Sequence, residues 1–231
     1  MRVRQSAIVT RPPVAALLVA SLAVATTVAG MVIAWSLRPP EPAAPTTGPS
    51  VDDLRCGSVA CQSVVRADVG GDAVEVLIGQ GVGRIRTNGA SGNNIFELTI
   101  AESGAAITAD SLECRDAVVS VCLVHGSVGG EVRGELLVRR GGAWSRAQLP
   151  YVASGGYLGL GDVNADGVDD VVAVQRACSP GVDCSRRFAQ VFSLVGDKAE
   201  LGCTTVVATQ DLLPGWPDVT PAPAQLRPCG A

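Results

Sequence analysis

Histidine is almost missing from this chain: His125 is the only one in 231 residues. That removes most of the side-chain bases and metal ligands that work near neutral pH. No Gly-x-Ser-x-Gly element is present, and Ser120 and Ser127, the serines near His125 in sequence, have no acid partner placed by a motif. No Cys-x-x-Cys occurs, which argues against a redox pair. Lysine is equally scarce, with Lys198 the single example. Residues 51–231 carry 14 Lys plus Arg against 21 Asp plus Glu, a net charge of −7, which argues against nucleic acid and anionic headgroups as partners. Gly79-Gln80-Gly81-Val82-Gly83-Arg84 lacks the Lys-Ser/Thr ending of a phosphate-binding loop, and no helix start follows it, so it reads as a loop between strands and no nucleotide is expected. No amphipathic helix pattern occurs after residue 50. No catalytic residue is assigned. A pair of carboxylates for glycoside hydrolysis stays open, because such residues converge only in three dimensions.

What the chain does have begins with a long apolar run. Residues 12–37 contain no charge, and the 24 residues from Val14 to Leu37 are nearly all apolar. As a helix they would rise about 36 Å, enough to cross a hydrocarbon core of about 30 Å. Arg2, Arg4 and Arg11 precede the run and only Arg38 follows it, which places residues 1–11 in the cytoplasm and everything after residue 40 outside. A long cleaved signal peptide would give the same side. The length of the run and Trp35 near its outer end favour an uncleaved single-pass anchor in the cell membrane, because the small-residue pattern Ala23-Val24-Ala25 falls mid-run. Residues 38–50, rich in proline, read as an extended tether. The folded domain then spans 51–231.

Eight cysteines, Cys56, Cys61, Cys114, Cys122, Cys178, Cys184, Cys203 and Cys229, all fall on the outer side. An even number confined there reads as disulfides in an oxidising compartment. Their spacings do not suit a structural zinc site. Eight cysteines permit 105 pairings. The three close pairs, Cys56/Cys61, Cys114/Cys122 and Cys178/Cys184, favour local clips and leave Cys203/Cys229.

The remaining pattern is of short alternating or β-branched runs divided by glycine: Ser63–Val69 and Ala73–Ile78, Ile95–Ile100, Ala117–Val124, Glu131–Arg139 with Ala143–Ala147, Val171–Val174, and Phe188–Val195 with Lys198–Leu201. Tyr151–Leu160 reads as a glycine-rich approach and the proline-bearing tail as irregular, pinned by Cys229. Asp72, Asp116 and Asp169-Asp170 each stand just before a β-branched run, 44 and 53 residues apart. This is blade-like spacing, and an all-β domain of three to four hairpin units, an incomplete or small propeller, is expected.

The most specific stretch is Asp162-Val163-Asn164-Ala165-Asp166-Gly167-Val168-Asp169-Asp170. It sets oxygen-bearing side chains at loop positions 1, 3, 5 and 9, a pattern suited to a hard cation that takes six to eight oxygens. With its flanks, Leu160-Gly161 and Val171–Val174, it resembles the calcium loop of FG-GAP/VCBS repeats, the blades of integrin-like β-propellers. That resemblance implies a structural Ca²⁺ held by Asp162, Asn164, Asp166 and Asp170 through their side chains and by Val168 through its carbonyl, with Gly167 permitting the turn and Asp169 facing away. An EF-hand is disfavoured, since its position 12 would be Ala173 and strands rather than helices flank the loop. The likeness is tight over about 15 residues; the two other candidate units lack the acidic set.

The expected function is a membrane-tethered, calcium-binding extracytoplasmic β domain that engages a protein or envelope component. Its arrangement resembles actinobacterial cell-envelope proteins. The alternative is an anchored hydrolase acting on an envelope polymer. A cleft joining acids to His125 would favour the enzyme, and a flat surface around Trp144, Tyr151 and Tyr157 would favour the interaction module.

Overall fold

The computed structural model describes residues 54–148, 150–178, 184–195 and 200–230. The cytoplasmic tail, anchor and tether assigned to residues 1–50 lie outside these. Among the described residues no helix is long and apolar enough to cross a membrane.

Strand dominates, in several small antiparallel sheets. A hairpin of β1 (Arg55–Cys56) and β2 (Val59–Ala60) leads into a four-stranded meander, β3 (Gln62–Val69), β4 (Asp72–Gly79), β5 (Val82–Gly89) and β6 (Asn94–Leu98). Its first turn, Gly70-Gly71, has positive φ at both residues, the geometry of a tight two-residue hairpin. A single helical turn, α1 (Thr99–Glu102), follows. The second sheet is β7 (Leu112–Arg115), β8 (Ser120–Val128), β9 (Glu131–Arg140) and β10 (Ala143–Arg146), with β11 (Tyr151–Ala153) continuing β10's edge of β9. The third runs β12 (Leu158–Gly161), β13 (Asp170–Arg176), β14 (Arg187–Phe192) and β15 (Gly202–Cys203).

The described residues thus form three sheets of four or five strands and one short two-stranded hairpin, mostly β as expected from the sequence. Two local expectations are corrected. The alternating run Ile95–Ile100 leaves the strand after Leu98, because the buried Glu135 carboxylate accepts from the Thr99 hydroxyl and from the Ile100 N–H at 2.8 Å. Those bonds satisfy the start of α1. The glycine-rich segment Tyr151–Leu160 contains β11 and part of β12, whose glycines weakened the strand pattern.

The sheets stack face to face. Val74, Val76 and Ile85 of the first sheet meet Cys122, Val124 and Leu137 of the second. The other face of the second sheet, Val121, Leu123 and Leu136, packs on Leu158, Leu160, Val171 and Ala173 of the third. The far face of the third, Val172, Val174, Ala189 and Val191, is covered by Leu213 and Val219 of the C-terminal segment, with Trp216 and Leu226 against them. Consecutive residues of β8 and β13 therefore serve different cores, which explains why these strands read as continuous apolar runs. Each of the fully buried Leu77, Leu98, Leu123, Leu136 and Leu137 contributes about 1.5–3 kcal/mol.

The outer face of the first sheet is divided: Leu77 lies buried with Cys56 and Cys61 beneath the β1–β2 hairpin, and the rest is polar. Arg66, Glu75 and Arg86 form one row across β3, β4 and β5, with Arg86 ion-paired to Glu75. Four disulfides are present, Cys56–Cys61, Cys114–Cys122, Cys178–Cys184 and Cys203–Cys229, the pairing that the spacings favoured.

Candidate functional site

The acidic loop joins β12 to β13, antiparallel strands whose ends pair Gly161 with Asp170. Strands thus flank it on both sides, and an EF-hand arrangement is excluded. Val163 and Val168 are buried and pin the loop to the body, while Asp162, Ala165, Asp166 and Gly167 are exposed. Its curl is built from side-chain to backbone bonds. Asp162 accepts from the N–H groups of Asp166 at 3.1 Å and Gly167 at 3.0 Å. Asn164 accepts from the Asp166 N–H at 3.0 Å, and Asp166 accepts from Val168 at 2.9 Å and from the Asn164 amide at 2.8 Å. Ala165 and Gly167 take positive φ, 57° and 82°, which short Asx-type turns of this kind need.

Asp170 closes the loop and is the exception within it. It is 1% exposed, and one oxygen accepts from the Val163 N–H at 3.1 Å while Oδ1 has no partner among the described residues. Burial pushes its carboxyl up to about 6; the N–H groups of Val163 and Asn164 and the Ser193 hydroxyl pull back, and Asp166 adds repulsion. Among the described residues the ion pairs use Asp68, Asp72, Asp116, Glu75, Glu97, Glu113, Glu131 and Glu135, and none uses an acid of the loop.

Asp72 opens β4 as Asp170 opens β13, and it too is 1% exposed. Asp72, however, is fully answered: it accepts from Ser91 N–H at 2.8 Å, Trp144 Nε1 at 2.8 Å and Arg139 at 3.1 Å. Asp116, in the turn before β8, shares Arg139 at 3.3 Å. One guanidinium therefore serves two of the three repeated aspartates. The third has no cationic side chain within ion-pair distance among the described residues. No group of three His, Cys, Asp or Glu side chains among the described residues is placed to hold a metal ion unaided. The three acids of the expected set, Asp162, Asp166 and Asp170, do not form such a group; the set also draws on the Asn164 amide and the Val168 carbonyl.

A second feature was not foreseen. A cleft of about 700 Å³ opens at the seam between the second and third sheets. Glu113 and Arg115 enter it from β7, and His125 and Ser127 from β8. Tyr157 to Leu160 form one wall, and Asp218 and Thr220 of the C-terminal segment reach its rim. Arg115 pairs with Glu113 at 2.6 Å, and Glu113 accepts from the Leu160 N–H at 3.3 Å. Burial raises the Glu113 carboxyl against the pull of Arg115, with Asp169 and Asp218 adding to the rise. Burial also lowers the His125 imidazole, partly offset by Asp110, so that ring is neutral at pH 7. Alternation along β7 and β8 puts Glu113 with Arg115, and His125 with Ser127, on common faces. The meeting of those faces with Asp218, about ninety residues on, has no local signal.

The three aromatics considered for a flat surface part company. Trp144 is buried against Asp72 and Arg139, Tyr151 packs edge-on against Phe192, and only Tyr157 faces an open site. Asp169 lies within the field of Arg115 rather than among the loop's hydrogen bonds. No family model, curated protein or solved structure matches the chain.

Proposed function

We propose that the chain is a calcium-stabilised extracytoplasmic interaction module, tethered to the cell membrane through residues 12–37, whose β domain is built of three propeller-blade-like units. The buried, unanswered Oδ1 of Asp170 carries the metal part of this reading. Where Asp72 meets a guanidinium, Asp170 meets none and feels repulsion from Asp166; with Asp162, Asn164 and Asp166 of the same loop it would offer a set of hard oxygens that repel one another unless a cation joins them. Asp162, Asn164, Asp166 and Asp170 would hold the ion with the Val168 carbonyl. The ion would supply charge neutralisation at the β12–β13 junction and no chemistry beyond that. Four disulfides support an oxidising, extracytoplasmic setting.

A cleft that brings Glu113 and Asp218 to His125, with Trp144 and Tyr151 packed away from any flat surface, is the arrangement that favours a hydrolase; binding is preferred because of how that cleft is wired. Glu113 is already committed to Arg115 and to a backbone N–H, and no hydrogen bond joins the His125 ring to an acid among the described residues. Proton transfer needs a base within hydrogen-bond reach of its partner.

Calorimetric titration of the full chain tests the metal. Extracellular calcium modules bind with dissociation constants of about 10⁻⁴–10⁻³ M. At about 10 mM calcium the domain should gain about 1.4–2.7 kcal/mol. In Asp170→Asn both the heat and the gain should vanish. Neither heat nor a rise in melting temperature with the natural chain would sink the proposal.

A further inference from the structure

We infer that the cleft between the second and third sheets is a binding site for a neutral, polyhydroxylated ligand, a sugar unit of a glycan. This rests on the reading of the domain as an interaction module and is independent of the calcium loop.

Charge narrows the ligand first. The cleft offers two carboxylates, Glu113 and Asp218, and one guanidinium, Arg115. An anionic ligand would face both acids, and a cationic one would face Arg115, so each is penalised. His125 adds no charge at pH 7. Hydrogen-bonding capacity narrows it further. The acids only accept, Arg115 only donates, and Ser127, Thr220, Tyr157 and neutral His125 do both. A ligand whose every polar group is a hydroxyl can satisfy such a mixed set. The wall supplies the apolar complement, with Val132, Leu158 and Leu160 beside the Tyr157 ring. These suit the C–H surface of a sugar ring, and the volume of about 700 Å³ falls in the range of ligand pockets.

The site is also held in place. Tyr157 leans on Trp216, ring centroids 6.4 Å apart, and its hydroxyl lies 2.7 Å from where a Cβ at Gly159 would stand. Only glycine lets the phenol lie back over its own strand. Glu113 is fixed by Arg115 and the Leu160 N–H, whereas Asp218 is exposed and has no ion-pair partner among the described residues. Preorganisation of this kind lowers the ordering cost of binding.

Because His125 is the only histidine, its imidazole resonances report on the cleft without assignment ambiguity. The full chain, purified without a histidine tag and held in a zwitterionic detergent free of sugar, would be titrated with neutral cello-, malto-, xylo- and N-acetylchito-tetraose. Tetragalacturonate and the tetramer of glucosamine serve as anionic and cationic comparators. At least one neutral saccharide should shift the His125 signals saturably. Glu113→Gln and Asp218→Asn should each weaken that binding at least tenfold, and Asp218→Asn should leave the melting temperature unchanged. The proposal is overturned if no neutral saccharide shifts His125, if a charged comparator binds more tightly, or if both variants bind like the natural chain. Running each titration with calcium and with chelator separates the two readings. Saccharide binding without a calcium heat keeps the cleft and sinks the loop, and the converse does the reverse.

Discussion

Replacing Asp72 by alanine is expected to lower the unfolding free energy by about 3–5 kcal/mol, the cost of breaking a buried ion pair from one side. The carboxylate joins β4, the Ser91 turn, Trp144 of β10 and Arg139 of β9. Its loss leaves the buried indole N–H without an acceptor and removes the nearest charge from Arg139, which also sits 5.7 Å above the Trp144 ring. Arg139 keeps Gly70 O at 2.7 Å and Ser120 Oγ at 2.8 Å, so the guanidinium stays anchored. Arg139→Met should cost a similar amount. Because the two residues share one network, the double variant should cost clearly less than the sum of the singles. Urea unfolding of the four proteins checks this, and strict additivity would show that the network does not act as a unit.

The same carboxylate sets an acid limit. Burial works to raise its pKa, but bonds from Ser91, Trp144 and Arg139 outweigh it and hold the group at about 2. A carboxyl depressed in the folded state stabilises the fold above its unfolded value of about 3.9, and that contribution is lost as pH falls through the folded value. Stability should therefore drop between about pH 4 and pH 2. The drop should be smaller in Asp72→Ala, measured by thermal melts across that window.

Removing the Cys203–Cys229 bridge by a Cys203→Ser, Cys229→Ser double substitution is expected to cost about 3.5 kcal/mol, against about 2 kcal/mol for the shortest clip. The difference follows from loop length, a sequence separation of 26 against 5 for Cys56–Cys61. The long bridge also holds the segment that covers the third sheet. Cys203 and Arg227 exchange two backbone bonds at 2.8 Å beside it, and Leu213, Trp216, Val219 and Leu226 seal the core behind. Non-reducing urea unfolding of the double variant measures the loss, and a cost no greater than that of opening Cys56–Cys61 would overturn the ranking.

Much of this fold was legible because its rules are local. The hairpins at Gly70-Gly71 and Gly141-Gly142, the loop between β12 and β13 and the disulfide partners all follow from spacing and turn chemistry within a few residues. The repeated aspartates pointed correctly to the starts of β4 and β13. What they do there was hidden, since Arg139 reaches Asp72 across 67 residues. Val118 shows the opposite failure. Its β-branched run reads as buried strand, yet it is 97% exposed in the turn that Asp116 and Ser120 close. The cleft was illegible for the same reason as the network: Glu113, His125 and Asp218 meet only after two sheets and a tail have packed. His125, read as a lone strand-end residue, carried no sign of the acids around it.

The polar row of Arg66, Glu75 and Arg86 and the tail sealed over β13 and β14 stand at opposite ends of the stack. Each sheet between them is buried only by its immediate neighbours, as in a linear array of repeats. In such an array the end units determine how many units there are, because a bare apolar face would recruit another sheet, from this chain or from a second molecule. Here one end carries charge and, over Leu77, the β1–β2 hairpin, and the other is plugged by the C-terminal segment. Among the described residues, neither end thus leaves a bare apolar face for a further sheet to join.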